Sequence, residues 1–132
     1  MRRQFSLPAE DVEWLDARGA PYELVAGPEG LRVILYGVPV PAGYNHSMVD
    51  LYFKIEPGYP DAQIDMVWFS PDLHLLSGRA IGAVLLEMFE GKNWQRWSRH
   101  RTPVNPWRPG VDGVATQYAL VQEWLDRELK KT

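Results

Sequence analysis

Apolar and polar residues alternate along two stretches in the middle of the chain, Met48–Ile55 and Gln63–Phe69. Alternation with a period of two, in segments rich in β-branched and aromatic residues, is typical of a strand that rests one face on a core. The pattern therefore predicts two strands. In the second one it directs Asp65 to the face opposite Ile64 and Met66, which is the more exposed face.

Two earlier segments, Pro21–Ala26 and Leu31–Tyr36, also have strand composition, and a glycine- and proline-containing turn joins them as a hairpin. The segment Val38–Gly43 has two prolines, which lack the N–H that a central strand needs, so we expect a surface loop. Together these segments predict a four-stranded antiparallel meander sheet.

Apolar residues return with helical spacing near both ends of the chain. Leu7–Arg18 is predicted as a first helix, with Ser6 as its N-cap and acidic residues in its first turn. A final helix is predicted from Asp112, as its N-cap, to about Lys130. One sheet with helices at its two ends is an α+β architecture, and we expect the C-terminal helix to pack on one face of the sheet.

The part of the chain between the fourth predicted strand and the final helix has weaker patterns. Ala80–Met88 contains helix formers interrupted by Gly82, which predicts a short helix. Trp94–His100 is dense in tryptophan and arginine, and Thr102–Gly110 contains three prolines, so both are expected to be irregular.

Length and composition exclude several classes of protein. The chain has 132 residues and fits one domain, 1–132, with an ordinary globular composition. A net charge of −3 disfavours a dedicated nucleic-acid binder, and no apolar run reaches the ~20 residues that cross a bilayer. We therefore expect a cytoplasmic protein without a membrane partner. The chain has no cysteine and only three widely spaced histidines, so no metal and no cofactor are predicted.

Several short motifs occur in an order that resembles the ubiquitin-conjugating (UBC-like) superfamily. These motifs are GYNH before the third predicted strand, GYPD before the fourth, and WQRWSRH followed by NPWRPGVD before the last helix. The chain is most similar to the divergent bacterial members, prokaryotic UBC-like family E, and the resemblance extends from about Leu7 to Leu129. It implies a UBC-like fold.

The resemblance also implies a chemistry, because UBC-like enzymes carry a modifier protein on a cysteine and pass its C-terminal carboxyl group to an amine. Here Trp107-Arg108-Pro109 resembles the tryptophan-proline element that precedes the last helix. Counting back from it by the family interval leads to Ser98, a serine in the place of the cysteine. The His-Pro-Asn triplet of the family is missing.

A serine needs a base to remove its proton, and histidine is the usual one. His100 would share a face with Ser98 in an extended segment, and His46 is a further candidate base, as is His74. Residues expected to support the oxyanion or to line the groove are Asn45, Arg99, Trp97, Trp107 and Asp112.

Structural roles compete with each of these assignments. The tryptophans are more often core residues or hydrophobic anchors than ligand-stacking groups, and Asp112 is most simply a helix N-cap. Tyr44-Asn45-His46 is equally suited to shaping a turn and to projecting Asn45 and His46 into the groove. The arginines among the tryptophans are usually a solvated face, and nucleic-acid binding through them is the weakest alternative.

Two functions follow from the resemblance. The first is a transferase of a bacterial ubiquitin-like conjugation pathway, connected with phage defence, that holds the modifier as an oxyester on Ser98. Its partners would be a ubiquitin-like modifier, an adenylating activating enzyme and a metal-dependent deconjugase. The alternative is a catalytically inert UBC- or RWD-like module that docks the modifier or the activating enzyme.

Overall fold

A computed structural model describes residues 1–131 as two helices and six strands in one antiparallel sheet. The strand order across the sheet is β1-β2-β3-β4-β6-β5. The elements, in chain order, are α1 (Ala9–Ala17), β1 (Tyr22–Gly27), β2 (Gly30–Pro39), β3 (Met48–Ile55), β4 (Val67–Ser70), β5 (Val84–Phe89), β6 (Lys92–Trp97) and α2 (Val114–Leu129).

The strand predicted from the alternation in Met48–Ile55 is confirmed as β3, and its alternate residues lie on the two faces of the sheet. Val49, Leu51 and Phe53 are buried in a core that also contains residues of both helices. Tyr52, which alternates with them, lies in a smaller cluster on the other face, where its ring stacks on Trp68 with centroids 5.1 Å apart. The helices therefore cover one face, and an aromatic cluster covers part of the opposite one.

The sheet has six strands and not the predicted four, because a hairpin follows β4 where a helix and an irregular segment were expected. Leu, Glu and Met in the predicted helix Ala80–Met88 are helix formers, but Val84–Phe89 pairs along its length with β6. Glu90 and Gly91 join the two strands with positive φ angles of 50° and 78°, as a two-residue type I′ hairpin turn requires. The helix prediction was wrong because tertiary pairing overrode local propensity.

Two further predicted boundaries need correction. The fourth strand begins at Val67 rather than Gln63, because Met66 adopts a φ of 60° and interrupts the extended path. The predicted loop Val38–Gly43 begins inside β2, which continues to Pro39 opposite Met48. A proline is accommodated there because β1 pairs with β2 only as far as Leu35, so that side of Pro39 lacks a neighbouring strand.

Neither helix begins with the cap that its sequence predicts. Pro8, and not Ser6, holds the N-cap position of α1. At α2 the N-cap position is Gly113, and the carboxylate that accepts the Val114 N–H, at 3.2 Å, belongs to Asp11 of α1. A Cβ atom on Gly113 would lie 2.7 Å from Asp11 Oδ1, so a larger residue there would displace the carboxylate from this position. One helix thus caps the other.

No helix within residues 1–131 is long and apolar enough to span a membrane. The same residues contain no group of three or more histidine, cysteine, aspartate or glutamate side chains arranged to hold a metal ion.

Candidate functional site

Ser98 lies immediately after β6, at the start of the segment that leads to α2. Its N–H donates to the carbonyl oxygen of Ala83 at 3.0 Å, which extends the pairing of β6 with the chain before β5. The next N–H, of Arg99, donates back to the carbonyl oxygen of Trp97 at 3.0 Å, so the backbone turns tightly at Ser98. The side chain is half-buried, and its hydroxyl forms no hydrogen bond within residues 1–131.

His100 projects into solvent, with 59% of its side chain exposed, and is paired with Asp65. Its Nδ1 lies 2.9 Å and 3.0 Å from the two carboxylate oxygens of Asp65. A carboxylate only accepts hydrogen bonds, so His100 Nδ1 is the donor in this pair. Asp65 therefore orients the imidazole with Nε2 directed away from the pair.

The expected Ser98–His100 pair is not hydrogen-bonded in this structure. The expectation relied on an extended backbone, in which residues two apart share a face, and the turn at Ser98 interrupts that geometry. Neither of the other two histidines replaces His100. His46 is half-buried with no side-chain hydrogen bond among residues 1–131, and His74 Nε2 lies 2.6 Å from Asp72 Oδ2.

Arg99 holds the backbone around Ser98 against α2. Its guanidinium donates to the carbonyl oxygens of Gly82 at 3.1 Å and Ser98 at 3.2 Å, and to Glu128 Oε1 at 3.0 Å. With these donors engaged inside the protein, Arg99 positions the segment rather than presenting a guanidinium to a ligand.

Glu128 is the carboxylate at the centre of this cluster, and only 2% of its surface is exposed. It accepts from Arg79 Nη2 at 2.8 Å and from Lys131 Nζ at 3.1 Å as well as from Arg99. Burial favours the neutral acid, but the hydrogen bonds from Arg79, Lys131 and Arg99 outweigh it and lower the pKa of Glu128. The carboxylate is therefore charged at neutral pH.

The two tryptophans predicted to support the site are structural anchors. Trp97 is fully buried, with its ring 5.4 Å from that of Phe69, and its indole N–H donates to Gln95 at 2.9 Å. Trp107 is half-buried, and its indole N–H donates to the carbonyl oxygen of Pro60 at 2.9 Å. This bond ties the loop before α2 to the loop before β4.

Asp112, predicted as a helix cap, holds the loop before α2 instead. It accepts the Arg108 N–H at 2.7 Å and lies 3.6 Å from the buried guanidinium of Arg101. Burial raises the pKa of Asp112, but the backbone hydrogen bond from Arg108 lowers it, and smaller contributions from Thr116 and Arg101 act in the same direction. The net effect is a lowered pKa.

Asn45 joins a different part of the molecule. Its side-chain oxygen accepts the His74 N–H at 2.8 Å and its amide donates to the Asp72 carbonyl oxygen at 3.3 Å. These bonds fasten the loop before β3 to the loop after β4. No hydrogen bond connects Asn45 or His46 to Ser98 or His100 within the described residues.

A cavity of about 360 Å³ opens beside His100, between the 100–105 segment and α2. Its walls include Arg101, Asn105, Leu120, Trp124 and Arg127. Of the charged residues in this lining, Arg101 is paired with Asp112, which leaves Arg127 and Glu123 as one charge of each sign beside His100.

Sequence reasoning missed the two carboxylates that organise this region. Asp65 has the position of an exposed strand residue, and nothing local connects it to His100, 35 residues away. Glu128 could have been found, because it is an acidic residue on the apolar face of the last helix, one turn after the buried Trp124. A charge at such a position implies a partner.

Comparison with known proteins gives a family. The model of prokaryotic E2 family E matches residues 7–128. Searches of curated proteins and of solved structures find no match. The match covers most of the chain and agrees with the motifs GYNH, GYPD and NPWRPGVD, which the structure places before β3, before β4 and before α2. The chain belongs to prokaryotic E2 family E.

Proposed function

We propose that this protein is an E2-like acyl carrier that holds the C-terminal carboxyl group of a ubiquitin-like modifier as an oxyester on Ser98. The observation that carries the proposal is the Ser98 hydroxyl, which has no hydrogen-bond partner among the described residues 1–131 and lies two residues before a histidine that Asp65 orients. Family membership supplies the reaction class, which is transfer of a ubiquitin-like protein.

The proposed step needs a nucleophile and a base. Ser98 Oγ attacks the carbonyl carbon of the modifier's activated terminus, the bond from that carbon to the activating enzyme breaks, and an ester forms. The serine proton passes to His100 Nε2, and Asp65 stabilises the resulting imidazolium through Nδ1. Bringing Nε2 to the hydroxyl requires a change in the turn at Ser98, which docking of the activating enzyme would provide.

The absence of cysteine gives the proposal a chemical signature. An oxyester is cleaved by mild alkali, whereas an amide on a lysine survives it. We expect intact mass spectrometry of the protein, co-expressed with its activating enzyme and modifier, to reveal a modifier-sized adduct that alkali removes. Ser98→Ala should abolish this adduct, and Asp65→Asn should slow its formation without unfolding the protein.

A second candidate function is an inert docking module, and one observation favours it. Among residues 1–131 no base lies within hydrogen-bond distance of the Ser98 hydroxyl, and the sequence contains no cysteine to replace it. In that case no adduct forms, yet the protein co-purifies with the modifier or the activating enzyme in equal amounts whether residue 98 is serine or alanine. An adduct that survives alkali, or persists in Ser98→Ala, would contradict the carrier proposal.

A further inference from the structure

The two edges of the sheet differ in whether another segment of the chain covers them. At the β1 edge, residues of the N-terminal segment cover the strand: the Leu24 N–H donates to Arg2 at 3.0 Å, and the Gln4 N–H donates to Leu24 at 2.8 Å. The Ala26 N–H donates to the Gln4 side chain at 2.9 Å. At the opposite edge, within residues 1–131, β5 has a backbone partner only in β6.

The register of the hairpin identifies which backbone groups of β5 face outward. The Ser98 N–H bonds to the Ala83 carbonyl, and in an antiparallel ladder the bonded positions recur at every second residue. The N–H and C=O groups of Val84, Leu86 and Met88 consequently point away from β6. No hydrogen bond to these groups occurs in the described part of the chain.

The side chains of this edge are also unusual for an unpaired strand. Leu85 and Leu86 are each 51% exposed and Met88 is 64% exposed. Edge strands are ordinarily protected by lysine, proline or a bulge, and β5 has neither residue type and pairs in unbroken register. Its one charged residue, Glu87, is bound to Arg96 at 3.0 Å and to the Trp68 indole at 2.7 Å.

We propose that β5 pairs antiparallel with β5 of a second copy of this chain, about a two-fold axis that passes beside Leu86. In this register Leu86 is opposite its own copy, and Val84 is opposite Met88 of the other chain. The N–H and C=O groups of Val84, Leu86 and Met88 point outward, so each opposed pair of these residues exchanges two hydrogen bonds.

Side-chain chemistry selects this register over its neighbour. Val84 packs against the helix-side core, so Leu86 and Met88, which alternate with it, project on that same face. On this face the register therefore places apolar side chains opposite apolar side chains across the axis. A shift that centred the axis on Glu87 would place two carboxylates opposite each other, and like charges in that position destabilise a strand pair. Charge and hydrophobicity thus both favour Leu86 over Glu87 as the centre.

The edge of one six-residue strand is small, so we expect a reversible dimer. Interfaces below about 1,200 Å² are characteristic of weak and transient association. Sedimentation velocity over a wide concentration range should show the mass rise from 15.2 kDa toward twice that value. Leu86→Lys, which opposes two like charges at the axis, should raise the dimer dissociation constant by about tenfold or more.

The chain offers a matched control. Val104 is 95% exposed in the loop before α2, so Val104→Lys makes the same kind of change at an apolar residue away from the edge and should leave dimerisation unchanged. Circular dichroism of both variants verifies that each is folded. A protein that remains monomeric at every concentration, or equal dimerisation by Leu86→Lys and the parent, would overturn the proposal.

The absence of cysteine allows the register itself to be tested. Leu86→Cys introduces a single thiol opposite its own copy, where Cα atoms of a bonded pair lie about 5.5 Å apart, within the range of a disulfide. It should form a covalent dimer on mild oxidation faster than Leu85→Cys, whose residue faces Glu87 across the axis, or than Val104→Cys. Cross-linking of all three at the same rate would overturn the register.

Discussion

Replacing Glu128 with glutamine tests the cluster that holds the Ser98 segment to α2. The carboxylate is 2% exposed and accepts hydrogen bonds from Arg79, Arg99 and Lys131, at 2.8, 3.0 and 3.1 Å. Glutamine keeps the size and one acceptor oxygen but removes the negative charge. Three cations then surround a neutral amide, and one of the donors faces its NH₂ group.

The magnitude follows from the exposure of the partners. Removing one member of a fully buried ion pair costs about 3–5 kcal/mol, whereas exposed pairs contribute about 0–1 kcal/mol. Here the Arg99, Arg79 and Lys131 side chains are 17%, 29% and 53% exposed, so water screens part of the interaction. We expect Glu128→Gln to lower the free energy of unfolding by about 2 kcal/mol, and the melting temperature by about 8 °C.

Urea unfolding followed by circular dichroism measures this loss, and Glu123→Gln is the matched control. Glu123 lies on the same helix, is exposed, and has no ion pair within the described residues. Both variants change the net charge equally. A Glu128→Gln protein within about 0.5 kcal/mol of Glu123→Gln would refute the reasoning, since that is the ordinary range of a surface substitution.

The dependence on pH gives an independent check of the cause. The pKa of Glu128 is lower in the folded protein than its ordinary value of 4.5, so the folded state binds the proton less readily than the unfolded state does. The stabilisation is complete above the unfolded pKa and disappears as pH falls through the lower folded pKa. The gap between parent and Glu128→Gln should therefore shrink in acid. A gap that stayed constant down to pH 3 would point to packing instead of charge.

Three further outcomes are expected. Asp11→Ala should lower the unfolding free energy by about 2 kcal/mol relative to the exposed control Glu10→Ala in urea titrations. The substitution removes both the α2 cap and the acceptor of the partly buried Tyr59 hydroxyl. Equal loss in both variants would contradict the capping role. Hydrogen bonds from Arg2 lower the pKa of Glu23 to about 2, so the stability of the parent protein should fall between pH 4.5 and pH 2. Glu23→Gln should make the denaturation midpoint depend less steeply on pH in this range, and equal slopes for the two proteins would refute the prediction. Ser98→Cys should convert the proposed adduct into one that thiols remove, as gel shifts with and without reductant would show; resistance to thiols would mean that the acyl group is elsewhere.

The parts of the fold that the sequence predicts well have patterns that tertiary context reinforces. Apolar and polar residues alternate strictly in Met48–Ile55, which forms β3 and pairs with β2 on one side and β4 on the other. Val114, Val121 and Leu125 recur with helical spacing and are all fully buried in α2. In these elements the local preference and the global packing favour the same structure.

The failures occur where the decisive partner is distant in sequence. Leu85, Leu86 and Met88 are good helix formers, and only pairing with β6 makes them a strand. Asp112 is the local choice for a cap, yet its carboxylate is bound to the Arg108 N–H, and Asp11 fills the role from more than 100 residues away. Periodicity does not encode such contacts.

The candidate site divides in the same way. The motif spacing indicates Ser98 and His100, and the structure places both in the segment that follows β6. The motif spacing does not predict that the backbone turns at Ser98, because that turn depends on the hydrogen bond to Ala83 and on the contact of Arg99 with Glu128. The motif spacing also does not predict that Asp65 pairs with His100.

The most direct test of the carrier proposal is to locate the acyl group on the chain. The protein, co-expressed with its activating enzyme and modifier, would be digested with pepsin at acidic pH, which preserves an ester, and the peptides sequenced by tandem mass spectrometry. The proposal predicts a modifier remnant on the peptide that contains Ser98, absent after mild alkali. A remnant on a lysine, or on any peptide without Ser98, would contradict it.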